Sequence, residues 1–159
     1  MKPLVRPFEP DDASDVTVAW FEGWHDAHAA FLPEALVSTR GLEAFQKAAP
    51  RLAAPVDVAE VEGRVVGFAQ VNGQELEKLF LARHARGTGV AQALMASAEQ
   101  RIRSEGFVEG ILDYVRGNAR AARFYEKSDW RIVREEEDEI ELPDGSTAQF
   151  HSIICHKAL

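Results

Sequence analysis

Residues 83–102, RHARGTGVAQALMASAEQRI, change character halfway: two arginines and a histidine crowd a pair of glycines, and an alanine-rich helical pattern follows. The glycines of Arg86-Gly87-Thr88-Gly89-Val90-Ala91 permit a tight turn whose successive amide N–H groups converge at the start of a helix running from about Val90 to Ser104. Such a turn is a cradle for phosphate. Unpaired amides and the positive end of the helix dipole both attract an anion, and Arg83, His84 and Arg86 can meet further charge at the rim. No Gly-Lys-Ser/Thr follows, so the turn is not a P-loop, and its glycine spacing is truncated relative to the dinucleotide-binding fingerprint.

The rest of the chain makes a basic turn unexpected. Its 159 residues are 46% hydrophobic and 28% charged, with a net charge of −8. That size and composition predict one globular domain over residues 1–159. The acidic balance argues against nucleic acid or anionic membrane as a partner, because both need cationic surface to displace counterions. No apolar stretch is long enough to span a bilayer, and the start MKPLVRPFEPDD lacks the apolar region of a signal peptide. Cys155 is the only cysteine. It leaves no intrachain disulfide, and the cytoplasm is the expected compartment.

Working outward from the turn, LEKLFLA ahead of it is a strand, and the helix behind it stops at Gly106. Upstream, VDVAEV and RVVGFAQV flank Glu62-Gly63 as a hairpin. MKPLVRPFEP is a short first strand closed by Pro10. Asp11 or Asp12 can cap a helix through ASDVTVAWFEGWHDAHAAF, and LVSTRGLEAFQKAA is predicted as a second helix. Downstream come a strand, FVEGILDYV; a short helix, NARAARFYEKS, capped by Asn118; and two strands, WRIVREEEDEIEL and STAQFHSIICHKAL, joined by Pro-Asp-Gly. The order β-α-α-β-β-β-α-β-α-β-β defines an α/β domain with a mixed sheet.

Arg86-x-x-Gly89-x-Ala91 resembles the R/Q-x-x-G-x-G/A signature of the GNAT superfamily of N-acetyltransferases. A second block, Asn118-x-x-Ala121-x-x-Phe124-Tyr125-Glu126-Lys127, resembles that family's later helix and follows the first at the expected interval. The order of elements resembles the family over essentially the whole chain. Two positions depart from its pattern: Arg83 stands where proline is common, and Asp129 where glycine is usual. The resemblance implies a single-domain fold with a mostly antiparallel sheet of six or seven strands, splayed at its centre and flanked by about four helices. It also implies that acetyl-CoA is the co-substrate, with no metal. The amides of Gly87, Thr88, Gly89, Val90 and Ala91 would bind its pyrophosphate beside Arg86. The strand backbone at Leu79, Phe80 and Leu81 would pair with the pantetheine arm, and Asn118 and Ala121 would border it. Trp24, His28 and Phe31 fall in the region that receives the acceptor, and a homodimer is consistent with the family.

Acetyl transfer sets its own demands. The attacking amine must lose a proton, and the departing thiolate benefits from a donor. Tyr125 is the donor candidate by its place in the second block. Glu75 and Glu77 are the base candidates. Regular alternation would put them on one strand face with Leu79 and Leu81. Resemblance leans to Glu75, so Glu75→Gln is expected to cost more than Glu77→Gln. A domain that binds acyl-CoA without turnover is the alternative to an enzyme.

Other candidates carry less. On one strand His151 and Cys155 lie roughly 13 Å apart, too far to share a zinc, and His25 and His28 lack a third ligand. The run REEEDEIE, residues 134–141, is expected to be a solvated strand face that could favour a cationic acceptor.

Overall fold

The computed structural model describes residues 2–159. Seven strands, β1 (Leu4–Pro7), β2 (Val56–Val61), β3 (Arg64–Asn72), β4 (Glu75–Leu81), β5 (Glu109–Val115), β6 (Arg131–Glu141) and β7 (Thr147–Ala158), form one sheet in the order β1-β2-β3-β4-β5-β7-β6. Every neighbouring pair is antiparallel except β4 and β5, which run parallel. Five α-helices flank the sheet: α1 (Ala13–His28), α2 (Glu34–Val37), α3 (Leu42–Ala48), α4 (Val90–Ser104) and α5 (Ala119–Lys127). This is the mixed, mostly antiparallel architecture expected from the sequence.

Each face of the sheet has its own core. On one side Val90, Leu94 and Ile102 of α4 pack on Val66, Ala69, Leu76 and Leu112, and Phe124 and Tyr125 of α5 join them. On the other, Val16 and Trp20 of α1 pack with Val58, Phe68 and Phe80. Helix α1 lies close to β4: a Cβ added at Gly23 would stand 2.9 Å from Phe80 Cβ, so only glycine lets the helix sit this near. Charges that enter these layers are paired, as burial demands. Arg101 Nη2 donates to Asp57 Oδ1 at 2.6 Å, and Trp130 Nε1 and Lys157 Nζ donate to Glu99 Oε1 at 3.2 and 2.8 Å.

Two local expectations are corrected. The second predicted helix is broken in two, because Gly41 adopts an extended conformation as N-cap of α3. Asp12 makes no side-chain cap for α1; it accepts from Glu9 N at 2.8 Å across a 3-10 turn and binds the Arg6 guanidinium at 2.8 and 2.9 Å. Asp129, which departs from the resembled family's usual glycine, holds a left-handed φ of 67°, a conformation that aspartate tolerates better than most residues.

The feature that matters most for function is an irregularity in β4. Gln70 pairs with Lys78 but Val71 pairs with Leu76, so Glu77 is an extra residue, a β-bulge. The bulge breaks the alternation. Glu75 shares its face with Lys78 and Phe80, whereas Leu76, Leu79 and Leu81 share the other. The expectation that Glu75 and Glu77 lie on one face with Leu79 and Leu81 is therefore wrong. Period-two reasoning holds only while both strands advance together.

Candidate active site

Strands β4 and β5 are paired at a single register position, Glu75 with Ile111, and Ile111 N donates to Gln74 O at 2.9 Å. Beyond that point they diverge. The cleft between them has a volume of about 720 Å³, and residues from β4, β5, α1, α4 and α5 all line it. Past Glu75, the edge of β4 that carries Leu79, Phe80 and Leu81 has no strand beside it, and all three residues line the cleft.

At one end lies the glycine turn. Gly87 and Gly89 have φ of 72° and 90°, and a Cβ at either would meet no atom within 4 Å. The first bond of this kind into α4 runs from Ala93 N to Gly89 O, at 3.1 Å. The amides of Val90, Ala91 and Gln92 therefore lack intrahelical acceptors and remain available to an anion. Gly87, Gly89 and Ala91 line the cleft, while the Val90 side chain is buried in the core and Thr88 turns its hydroxyl to Ala85 O. Those two residues offer backbone only. Open space over two glycines and three free amides suit a pyrophosphate.

Sequence reasoning missed how the arginines are placed. Asp26, on α1, accepts from Arg83 Nε and Nη2 at 2.8 and 2.9 Å and also from Arg86 Nη2. Hydrogen bonding from Arg83 first, with Arg86 adding to it, holds the Asp26 carboxyl at about 2. Arg120, at the same rim, has its pKa lowered by burial and then by Arg86. No spacing rule links residue 26 to residues 83 and 86, because the contact exists only once α1 lies across the end of β4. Asp26→Asn should free Arg86 from its fixed position and weaken acetyl-CoA severalfold by calorimetry. In the unaltered protein the Asp26 contribution to stability is present above the ordinary aspartate range and lost as pH falls through about 2.

Tyr125 lines the cleft from α5, its ring 5.7 Å from that of Tyr114 and 5.5 Å from that of Phe124. Burial, and next the charge of Asp113, push its pKa well above the usual tyrosine value, so the hydroxyl keeps its proton. Asn118 Oδ1 accepts from Ala121 N at 3.1 Å, making it the cap of α5 expected from the sequence. Asn118 and Ala121 both also border the cleft.

On the α1 side Trp24 and His28 line the cleft. His28 Nδ1 donates to Trp24 O at 2.9 Å, and burial lowers its pKa, so the ring is neutral with Nε2 carrying the lone pair. Phe31 is a correction: it is absent from the cleft lining and packs over Gly117, where a Cβ would stand 2.8 Å from its ring. The glutamates separate too. Glu77, on the bulge, lines the cleft and accepts from Asn72 Nδ2 at 3.1 Å. Glu75 does not line it and sits where β4 and β5 are still paired. Two carboxylates that sequence reasoning did not single out do line it, Asp113 on β5 and Asp138 on β6. Asp113 was legible as the only charge within the apolar run Ile111-Leu112-Asp113-Tyr114-Val115. Among the described residues no three His, Cys, Asp or Glu side chains gather as metal ligands, and no helix is long and apolar enough to cross a membrane.

A parallel pair that parts beside a glycine-led helix defines the cleft, and comparison with known proteins gives the class of protein that carries it. A sequence model of the acetyltransferase (GNAT) family matches residues 15–130. The chain belongs to that family. Among solved structures it resembles a GCN5-related N-acetyltransferase from Rhodopseudomonas palustris, also described as a class-II aminotransferase, with TM-score 0.78 and 21% identity over 100% of this chain and 97% of that one. It is similar to the PaiA N-acetyltransferase of Thermoplasma acidophilum, solved with coenzyme A (TM-score 0.72, 17% identity, 100% of both chains). It is similar as well to a ribosomal-protein-alanine N-acetyltransferase from Brucella melitensis (TM-score 0.70, 22% identity, 98% of this chain and 99% of that one). No curated protein matches the chain.

Proposed function

We propose that this protein is an N-acetyltransferase that moves the acetyl group of acetyl-CoA to a cationic primary amine by direct attack in a ternary complex. One observation carries the reading: a single cleft joins the free amides at the start of α4 to the unpaired edge of β4 and opens onto an aromatic and acidic chamber on the α1 side. The amides of residues 87–91, with Arg86, take the pyrophosphate. The β4 edge at Leu79, Phe80 and Leu81 takes the pantetheine as an added strand, and Asn118 and Ala121 flank it. The acyl carbonyl then comes to the split, where Tyr125 donates a proton to the departing sulfur. An acidic protein binds a polyanionic co-substrate in this scheme because the donors are fixed backbone dipoles, indifferent to net charge.

The acceptor chamber supports a cationic substrate. Trp24, His28 and Phe80 form its walls, and Glu77, Asp113 and Asp138 supply its negative charge; Arg40 and Lys78, which also line it, lie over the rings of Trp24 and Trp20. Asp138 comes from the acidic run on β6, in which Glu135 and Glu136 are paired at the surface with Arg116 and Arg134. Ser152 Oγ donates to Asp138 Oδ2 at 2.8 Å, which holds this carboxylate inside the cleft. Incubation with acetyl-CoA and a panel of amines, read out as free thiol, tests the proposal. Turnover with cationic primary amines is expected, and acetyl-CoA binding with no thiol release from any amine would replace it with a non-catalytic acyl-CoA-binding role.

A further inference from the structure

We propose that Asp113 is the group that takes the proton from the attacking amine. The proposal rests on the acetyl-transfer reading given above. Its basis is the register of the sheet at the split. Parallel pairing of Glu75 with Ile111 puts Ile111, Asp113 and Val115 on the face of Glu75, Lys78 and Phe80, which is the α1 face. Leu112 and Tyr114 point to the opposite face, with Leu76, Leu79, α4 and α5. Asp113 lies two residues, roughly 6.6 Å, beyond the last pair, which is where the strands begin to part, and it lines the cleft. Tyr125 lines the same cleft from the α5 side. The split is thus flanked by an acid on the side from which the thioester enters and a carboxylate on the side from which the amine enters. Attack on one face and departure from the other need that placement.

The two glutamates fit less well. Glu75 is held beside the paired end of the strands, outside the cleft lining. Glu77 reaches the cleft, but on the bulge and hydrogen-bonded to Asn72. Asp113 has no side-chain partner in ion pairs or hydrogen bonds among the described residues. The groups whose charge it shares space with are Asp138 and Glu136 on β6, Glu75 on β4, Tyr125 on α5 and Cys155 on β7. Asp113 is open to the cleft; partial desolvation there raises its pKa first and the carboxylates of β6 second, which makes it a stronger proton acceptor than an ordinary aspartate.

The acceptor ammonium gives one proton to the Asp113 carboxylate, and the neutral nitrogen forms a bond to the thioester carbonyl carbon. The C–S bond breaks, and its electron pair leaves on sulfur, which takes the Tyr125 proton. The nitrogen's surplus proton restores the tyrosine through solvent. Asp113 then passes its own proton to water.

Single-turnover acetyl transfer to putrescine, lysinamide and an alanine-starting peptide, measured from pH 6 to 10, tests the assignment, with Asp113→Asn, Asp113→Glu, Glu75→Gln and Glu77→Gln compared. With the amines that the unaltered protein acetylates, Asp113→Asn should lower the rate at least tenfold at neutral pH, more than either glutamine variant. The loss should shrink as pH rises and the free amine becomes abundant. Acetyl-CoA affinity by calorimetry should be unchanged, which also reports that the variant is folded. Asp113→Glu should restore part of the rate at neutral pH and the shallower profile of the unaltered protein. An unchanged rate and profile in Asp113→Asn overturns the assignment, as does a larger loss in Glu75→Gln or Glu77→Gln. If the asparagine variant does not fold, Asp113→Ser takes its place, and a rate and profile equal to those of the unaltered protein overturn the assignment equally. No transfer by the unaltered protein to any amine overturns the acetyl-transfer reading instead, and this proposal with it.

Discussion

Tyr125→Phe is expected to lower the single-turnover rate of acetyl transfer on the order of 100-fold while leaving acetyl-CoA affinity in place. The substitution keeps the ring, and with it the packing against Tyr114 and Phe124 at 5.7 and 5.5 Å. Only the hydroxyl is removed. Because burial and Asp113 hold the Tyr125 pKa high, the wild-type donor is protonated throughout the working range, so the loss should be nearly constant from pH 6 to 9. That flatness separates it from the pH-dependent loss expected at Asp113. Steady-state turnover can be limited by product release, which makes the single-turnover rate the proper readout. A variant that transfers acetyl at the wild-type rate would leave Tyr125 a packing residue.

The second large effect is expected at Gly89. Gly89→Glu should weaken acetyl-CoA by one to two orders of magnitude, measured by calorimetry. Two causes act together. The new carboxylate stands over the amides of Val90, Ala91 and Gln92, the proposed site of the co-substrate's phosphates, and like charges repel there. A non-glycine residue at φ 90° also pulls the turn away from the geometry that aims those amides, at a cost of about 1–2 kcal/mol. The added side chain meets no protein atom within 4 Å, so the fold should survive. Gly89→Asn separates the causes, since asparagine tolerates positive φ and carries no charge. It should retain most of the affinity. Wild-type affinity in Gly89→Glu would move the phosphate site away from this turn.

The glycine turn, the helix after it and the Asn118 block are short-range features, and each was legible because the residues that make them are neighbours in the chain. Gly87 and Gly89 take positive φ as their type permits, and Asn118 caps the helix that follows it. Beside them, the base candidates show where such reasoning stops. Glu75 and Glu77 were placed by assuming that β4 alternates without interruption, and one extra residue at Glu77 exchanged the faces. Nothing in ELEKLFL marks that position, because a bulge is a property of two strands and is set by how β3 lies against β4.

Position along the chain, then, was enough to determine the order of elements, the glycine turn at the start of α4 and the cap at Asn118: periodicity, capping and backbone freedom are local, and a window of ten or twenty residues contains their causes. Tertiary structure alone decided the rest. It brought Asp26 to Arg83 and Arg86, folded Phe31 away onto Gly117, and set Asp113 and Tyr125 on the two sides of the opening between β4 and β5. These are contacts between elements far apart in sequence, and their energies depend on distance and burial, quantities that take values only when the sheet is assembled.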